Sequence, residues 1–182
     1  MIRKIVLTKN PSLRAISKPV GKIDKKILQL ISDMKETLAS QKDPEGVGLA
    51  APQIGKNLRL FIISFNGQEK VCINPEILEV TEKLPQTGKK TKKGKGQKND
   101  ILEGCLSLPR FYGPLTRAEL VKISYTNEKG EKITEDVTGF MAQIVQHEVD
   151  HLNGIIFLDH ILSQKAPLYK FEGDDWEEVE LT

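Results

Sequence analysis

The sequence predicts an α+β domain in which mostly antiparallel strands pack around a buried C-terminal helix. Residues 24–39 and 138–154 repeat apolar side chains at the spacing of helices, and several segments between them alternate or run apolar as strands do. A chain of 182 residues is long enough to bury one sizeable core. We therefore expect residues 1–182 to form a single domain.

The first helix and the strands that follow it are predicted from apolar periodicity. Asp24 is placed to cap the N-terminus of the helix at residues 24–39. The apolar stripe of this helix consists of Ile23, Ile27, Leu30, Ile31, Met34 and Leu38. Asn66-Gly67 is typical of a tight turn between two strands. The strands predicted around this turn cover residues 58–65 and 70–74, and residues 75–81 can extend the sheet.

The second half of the chain predicts another strand pair and then the buried helix. Residues 120–126 alternate in polarity, and a turn leads back through residues 132–137. Thr138 is the expected N-cap of the helix, and Gly154 stands where a glycine commonly follows a helix C-terminus. Apolar residues cover more than one stripe of this helix, which indicates burial on most sides: Phe140, Met141, Ile144, Val145, Val149 and Leu152.

Charge is distributed unevenly along the chain. Residues 83–100 hold seven lysines and one acid, whereas residues 171–182 hold six acids and no base. The stretch at residues 83–99 has too little apolar content to offset the entropy of ordering, so we expect a disordered lysine-rich insertion within the domain. We also expect an acidic C-terminal tail at residues 171–182. The formal net charge of +2 is thus the sum of two opposite patches.

The composition excludes several classes of protein. The apolar run near the start is too short for a signal peptide, and no segment has the length needed to span a membrane. Only two cysteines are present, Cys72 and Cys105, so a disulfide framework is excluded. These features predict a cytoplasmic protein that contacts neither a membrane nor a specific DNA sequence.

The buried helix carries the sequence His147-Glu148-Val149-Asp150-His151. Four residues make slightly more than one helical turn, so the two histidines project from one face and can bind one metal ion, with Glu148 as a base for metal-bound water. The alternative is a pair of hydrogen-bonded histidines on a solvated face. That alternative fits poorly with a buried helix, because burying these groups without partners costs several kcal/mol.

The third metal ligand must come from another segment. A metzincin protease would have a histidine where Phe157 stands, and His160 comes three residues too late for that pattern. Cys105, within Glu103-Gly104-Cys105-Leu106-Ser107, is the better candidate. A lone cysteine is more often an inert buried thiol, as we expect for Cys72. Beside a two-histidine helix, however, a Cys-His-His set with a fourth position for water is a known catalytic arrangement.

Residues 46–55 read Gly-Val-Gly-Leu-Ala-Ala-Pro-Gln-Ile-Gly. The small residues permit close approach of an extended ligand to the backbone, and Gln53 offers a side-chain amide. Taken alone, a tight turn leading into a strand is the more common explanation of such glycines. The segment is no phosphate-binding loop, because neither Lys-Ser nor Lys-Thr follows the glycines.

Three blocks of the chain, in order, resemble the sequence blocks of peptide deformylases: Gly-Val-Gly-Leu-Ala-Ala-Pro-Gln, Glu-Gly-Cys-Leu-Ser and Gln-His-Glu-Val-Asp-His. The opening residues 10–14 and 18–20 are also similar to that family's N-terminus. The resemblance covers roughly residues 5–162, apart from the lysine-rich insertion. Each block alone is moderately specific, whereas all three in order are very specific.

The resemblance implies a hydrolase that removes the N-formyl group from the N-terminal formyl-methionine of new polypeptides and releases formate. Glu148 would take a proton from the attacking water and hand it to the leaving amine. The Gln53 amide, the backbone N–H of Leu106 and the metal would share the charge of the oxyanion. The metal is typically iron(II), and zinc, nickel or cobalt can replace it. Its ligands would be Cys105, His147 and His151.

The resemblance also implies how the substrate binds. Gly48 and the backbone near Leu106 would hold the peptide as an added strand. Phe140 and Ile144 would line the pocket for the methionine side chain. Asp150 can support the metal ligands, paired with Arg117, although an ordinary surface ion pair is an equal alternative for these two residues.

Two alternatives for the function remain open at this point. One is a non-catalytic nascent-chain or RNA-binding module with a structural metal, which would have no use for Glu148. The other is a small zinc endopeptidase, which Phe157 and the blocks around Gln53 and Cys105 disfavour. The chain departs from the family pattern in its lysine-rich insertion and its acidic end, and both bear on any transient contact with the ribosome.

Overall fold

Within residues 1–42, 45–81, 102–173 and 175–180, which the computed structural model describes, the chain forms two antiparallel sheets and three α-helices. The helices are α1 (Lys25–Ala39), α2 (Gly139–Leu152) and α3 (Phe157–Gln164), and two short 3-10 helices cover Pro11–Arg14 and Ala51–Ile54. The strands are β1 (Gly48–Ala50), β2 (Leu60–Phe65), β3 (Gln68–Thr81), β4 (Glu103–Cys105), β5 (Leu108–Gly113), β6 (Leu120–Thr126), β7 (Lys132–Thr138), β8 (Leu168–Glu172) and β9 (Asp175–Val179).

The first sheet has the strand order β1-β2-β3-β6-β7 and contains both predicted strand pairs. Strands β2 and β3 meet at the predicted Asn66-Gly67 turn, where Phe65 pairs with Gln68. The second pair runs from Leu120 opposite Thr138 to Thr126 opposite Lys132. Both predictions are confirmed, and β3 continues through the segment that was expected to extend the sheet.

The two long helices cover opposite faces of this sheet. Along β2, Leu60 and Ile62 contact the core beneath α1, while Phe61 and Ile63 contact the core beneath α2. A strand buried on both faces is expected to be apolar throughout rather than alternating, which explains the continuous apolar run in the sequence. Each such side chain contributes about 1.5–3 kcal/mol through burial. Helix α1 begins at Lys25, where Asp24 accepts hydrogen bonds from two backbone N–H groups as predicted.

Helix α2 lies between the sheets with several of its sides buried, as its sequence predicted. Thr138 occupies the N-cap position, although its side chain makes no capping hydrogen bond. The helix ends before Gly154, which has a φ of 75° and lies against the backbone of Arg14. A Cβ atom there would stand 2.6 Å from the Arg14 carbonyl oxygen, so the predicted glycine is required. Helix α3 and two strands follow, so α2 is not the last helix.

The second sheet, in the order β4-β5-β8-β9, was not predicted from the sequence. The described part of the acidic C-terminal segment forms the end of β8 and all of β9, with Phe171 opposite Trp176. Residues 83–99, for which we expected a disordered insertion, lie outside the described residues. None of the helices in the described ranges combines the length and apolar character needed to cross a bilayer.

Candidate active site

Three side chains from the two predicted segments meet at the end of β4. The thiol of Cys105 and the ring nitrogens of His147 and His151 all lie within 4.8 Å of one another. The Cys105 Sγ is 3.3 Å from His151 Nε2, and the two rings, one helical turn apart on α2, have centroids separated by 4.8 Å. All three side chains are buried. The fold therefore brings His147 of the α2 pentad to Cys105, 42 residues earlier in the sequence, as expected for one donor set.

The chemistry of these donors fits a divalent metal ion. Burial by itself raises the pKa of the Cys105 thiol, but the neighbouring His151 and His147 hold that pKa well below its ordinary value. The group is therefore a thiolate, which is the form that ligates metals. Because His147 uses Nδ1 to bond the carboxylate of Glu103 at 2.8 Å, its Nε2 is left for the donor set. A thiolate with two imidazoles is a donor set typical of zinc and suited to iron(II).

A buried ion-pair network holds the ligand helix against β4. Arg117 donates to Glu103 through Nη2 at 2.7 Å and Nε at 3.0 Å, and to Asp150 through Nη1 at 2.6 Å. His160 also contacts Asp150, at 2.8 Å. The predicted pairing of Asp150 with Arg117 is confirmed, and the side chain of Arg117 is only 9% exposed, so the pair is not an ordinary surface ion pair.

Glu103 is the member of this network that the sequence analysis missed. It stands two residues before Cys105 on β4, so the alternation of the strand places both side chains on the same face. Burial alone would raise the pKa of its carboxyl, but hydrogen bonds from His147 and Arg117 hold that pKa well below the ordinary value. Glu103 therefore stays ionised and fixes the orientation of His147. The only sequence signal for Glu103 was its position two residues before Cys105. A single glutamate at that spacing is not a specific signal.

Glu148 lies beside the donor set, between the two histidines in the sequence of α2. Its side chain is buried, and Oε2 has no hydrogen-bond partner among the described residues. Burial raises the pKa of Glu148 to about 7. A Cβ atom on Gly48 would stand 2.3 Å from Oε1, so only glycine at position 48 leaves room for this carboxylate. A carboxyl group with a pKa near neutrality can accept and return a proton efficiently.

The amide of Gln53 is held in one orientation at the same site. Its Oε1 accepts a hydrogen bond from the backbone N–H of Ala50 at 2.8 Å. That bond directs Nε2 toward Ser107 Oγ at 3.4 Å and Cys105 Sγ at 3.6 Å. Leu106 follows Cys105 directly, so its backbone N–H lies at the end of the same strand. The Gln53 amide and the Leu106 peptide group thus lie next to the thiolate.

A cavity of about 170 Å³ opens onto this group. Strand β1 and strand β4, each at the end of its own sheet, contribute Gly48 and Gly104 to the lining. Helix α2 contributes Phe140 and Ile144, together with the predicted ligand His147 and the carboxylate of Glu148. The predicted residues Gln53, Cys105 and Leu106 also line the cavity. His151 belongs to the donor set but is not a lining residue. Glu45, Val47, Tyr112 and Gln143 also line the cavity and were not predicted.

The family profile described as "Polypeptide deformylase" matches residues 2–167 of the chain. The chain belongs to the polypeptide deformylase family. Peptide deformylase of Pseudothermotoga lettingae is 39% identical over 165 residues, covering 91% of this chain and 86% of the relative. Peptide deformylase of Mesorhizobium japonicum is 37% identical over 172 residues, covering 92% and 88%.

Solved structures of the same family share the fold. The crystal structure of a peptide deformylase from Synechococcus elongatus in complex with actinonin has a TM-score of 0.74 and 35% identity, covering 87% of this chain and 78% of that one. Peptide deformylase from Thermotoga maritima has a TM-score of 0.74 and 34% identity, with coverage of 88% and 97%. As a polypeptide deformylase, the chain is a metal-dependent hydrolase, which disfavours the non-catalytic module and the endopeptidase.

Proposed function

We propose that Cys105, His147 and His151 bind one divalent metal ion and that Glu148, Gln53 and Leu106 carry out deformylation in the adjoining cavity. As a family member, the chain removes the N-formyl group from newly made polypeptides. The observation that carries the proposal is the buried Glu148 carboxyl beside the thiolate and the two imidazoles. A buried carboxyl group at this position can transfer protons during hydrolysis. A purely structural metal site would not need such a group.

The metal is most simply iron(II), since a thiolate with two imidazoles suits that ion, while zinc, nickel and cobalt are also compatible with the donors. A bound divalent ion would act as a Lewis acid, lowering the pKa of water and drawing charge from the formyl oxygen. The ordered Glu103 carboxylate keeps His147 in the tautomer that presents Nε2 to the ion.

Glu148 serves as the proton carrier of the reaction. Its carboxylate takes a proton from the water that attacks the formyl carbon, and the same oxygen then gives that proton to the leaving nitrogen as the C–N bond breaks. This transfer yields formic acid and the free N-terminal amine. The acid then gives its remaining proton to the amine, so the final products are formate and an ammonium group, and protons balance without another group. A pKa of about 7 favours both halves of this transfer at neutral pH.

Gln53 and Leu106 stabilise the oxyanion that forms when the formyl carbon becomes tetrahedral. The Gln53 amide is fixed by Ala50, so its N–H groups need little reorganisation when charge develops. The backbone N–H of Leu106 supplies a second donor. Removal of one such donor typically lowers the rate about 10²–10³-fold.

The peptide binds as an extended strand between the edges of β1 and β4. Each of these strands ends its sheet, so each offers backbone groups for pairing, and Gly48 allows close approach beside Glu148. Phe140 and Ile144 form the apolar side of the cavity and receive the methionine side chain. Phe140 is held by an edge-to-face contact with Phe65, with ring centroids 5.0 Å apart.

We place this activity in the cytoplasm, where nascent chains carry formyl-methionine, with transient contact to the ribosome. The two free cysteines suit a reducing compartment. The lysine-rich residues 83–99 and the acidic residues 171–182 belong to the same single domain, 1–182, and supply the charge for any such contact.

Metal analysis with formate release tests the proposal. Protein purified without oxygen should contain close to one equivalent of metal and release formate from a formyl-Met-Ala-Ser peptide. Cys105→Ala should lose both the metal and the activity, whereas Cys72→Ala, which changes a second buried cysteine outside the donor set, should retain both. Metal retained in Cys105→Ala at the level of the parent would refute the ligand set.

A further inference from the structure

Residues 5–17 contact each of the segments that carry a predicted site residue, although they supply no site residue themselves. Among the described residues, those that line the cavity include none from this stretch. The backbone N–H of Val6 donates to the carbonyl of Gln53 at 2.8 Å, and that of Thr8 donates to the carbonyl of Ser107 at 3.1 Å. Gln53 belongs to the second 3-10 helix, whereas Ser107 lies between β4 and β5. We call residues 5–17 the N-terminal brace.

The other end of the brace reaches the helix that carries the two histidines. The backbone N–H of Ser17 donates to the carbonyl of Leu152, the last residue of α2, at 2.9 Å. The backbone of Arg14 lies against Gly154, and its guanidinium group pairs with Asp159 of α3. The brace therefore connects three segments that are far apart in the sequence and that together form the site.

Two hydrogen bonds of the brace go to adjacent carbonyls of the turn that carries Gln53. The hydroxyl of Ser12 donates to the carbonyl of Pro52 at 3.0 Å, and Val6 bonds the carbonyl of the next residue, Gln53. Ser12 is itself held, because the side-chain amide of Asn57 donates to its carbonyl at 2.6 Å. The main chain of Gln53 is thus bound to the brace at and immediately before this residue.

The turn depends on such outside contacts because it is short. It covers only Ala51–Ile54, and the hydrogen bonds within a 3-10 helix have poorer geometry than those of an α-helix. The bond from Ala50 orients the Gln53 amide relative to the end of β1, whereas the brace holds the main chain of Gln53. A donor to an oxyanion acts only over a narrow range of distances, so a small displacement of this turn lowers the rate.

We infer that the N-terminal brace positions Gln53 for catalysis and that Ser12 is a positioning residue of the reaction. The inference rests on the proposed function, since Gln53 is the oxyanion donor in that proposal. Ser12 touches neither the cavity nor the donor set and acts through the carbonyl of Pro52. If Ser12 only stabilised the fold, its loss would lower the resistance to urea and leave turnover per folded enzyme unchanged.

The first test measures formate release from formyl-Met-Ala-Ser by Ser12→Ala, expressed per equivalent of bound metal. We expect kcat to fall about three- to tenfold, the value of one hydrogen bond, with KM within about twofold of the parent. Ser40→Ala is the matched control, because the half-buried hydroxyl of Ser40 donates to the carbonyl of Thr37 at 2.7 Å, at the end of α1. This control should retain the kcat of the parent. An unchanged kcat in Ser12→Ala, whatever its stability, would overturn the inference.

A double-mutant cycle tests whether Ser12 acts through Gln53. Gln53→Ala removes the amide that the brace positions, so adding Ser12→Ala to it should change kcat by less than about twofold. An equal fold-loss from Ser12→Ala in the parent and in Gln53→Ala would overturn the inference and leave the proposed function intact. Parental turnover in Gln53→Ala would instead refute the proposed role of Gln53, and absence of formate release by the parent would refute the proposed function. The inference would fall with the proposal in either case.

Discussion

Arg117 is the residue whose loss should most weaken the support of the metal site. It is buried between Glu103 and Asp150 and makes three hydrogen bonds to their carboxylates, at 2.7, 3.0 and 2.6 Å. Each hydrogen bond to a charged group contributes about 1.5–3 kcal/mol. Gln143, which also donates to Glu103 at 3.3 Å, offsets part of the loss. Because Arg117→Met leaves two carboxylates without their cation, we expect the free energy of unfolding to fall by about 3–5 kcal/mol.

The same substitution should change the acid stability of the fold. The pKa of folded Glu103 lies below its ordinary value, so its ionised form stabilises the protein fully above the pKa of an unfolded glutamate, about 4.3. That stabilisation is lost as the pH falls through the folded pKa. Without Arg117 the folded pKa rises, and the loss begins at a higher pH. Arg117→Met should therefore unfold at a higher pH than the parent during acid titration.

Urea unfolding at pH 7, followed by circular dichroism at a fixed metal concentration, measures the predicted loss. Lys122→Met is the matched control, because Lys122 pairs with Glu79 on the surface at 3.0 Å and such a pair contributes about 0–1 kcal/mol. The loss in free energy of unfolding should be intermediate for Arg117→Lys, because one ammonium group cannot make the several hydrogen bonds of the guanidinium group. Equal losses in Arg117→Met and Lys122→Met would show that the network does not stabilise the site.

Three further predictions concern the reaction itself. Glu148→Ala should keep its metal and lose about 10²-fold or more in turnover, because no other group carries the proton; near-parental turnover at saturating metal would refute that role. Formyl-Met peptides should be preferred over formyl-Ala peptides by about 1–3 kcal/mol in kcat/KM, and equal values would mean that Phe140 and Ile144 form no methionine pocket. Replacing residues 83–99 with a short Gly-Ser link should leave hydrolysis of a short formyl peptide within a few-fold of the parent, because loop closure entropy varies slowly with length. Ribosome co-sedimentation at low salt, before and after that replacement, checks whether the lysines contact RNA, and a collapse of peptide hydrolysis would instead show that the segment supports β4.

The helical parts of the site were predictable because their geometry is local. A helix repeats every 3.6 residues, so the spacing of His147 and His151 places them on one face whatever surrounds them. The same reasoning located α1 and its cap at Asp24. Cys105 was different, since no local rule joins a strand to a helix 42 residues away. It was proposed because two histidines need a third ligand, and the order of the three sequence blocks supported that choice.

The second sheet was missed because its strands carry weak signals. Strand β4 has three residues, too few to show alternation, and its residues Glu103 and Gly104 are not typical of strands. In β9 three of the four exposed positions are acidic, and only Val179 belongs to the core cluster. The acidic residues of β9 indicated a charged surface segment and did not indicate that this segment pairs with β8. Tyr112 was missed for the same reason, since its place beside the cavity depends on the pairing of β5 with β4.

The arrangement of the two sheets explains how one site can accept many different polypeptides. An unpaired sheet edge usually invites aggregation, yet β1 and β4 both end their sheets beside the cavity. Pairing through backbone groups depends little on sequence, so a peptide strand can bind there with almost any side chains. In the proposed site, selectivity then rests on the formyl group beside Glu148 and on the apolar wall of α2.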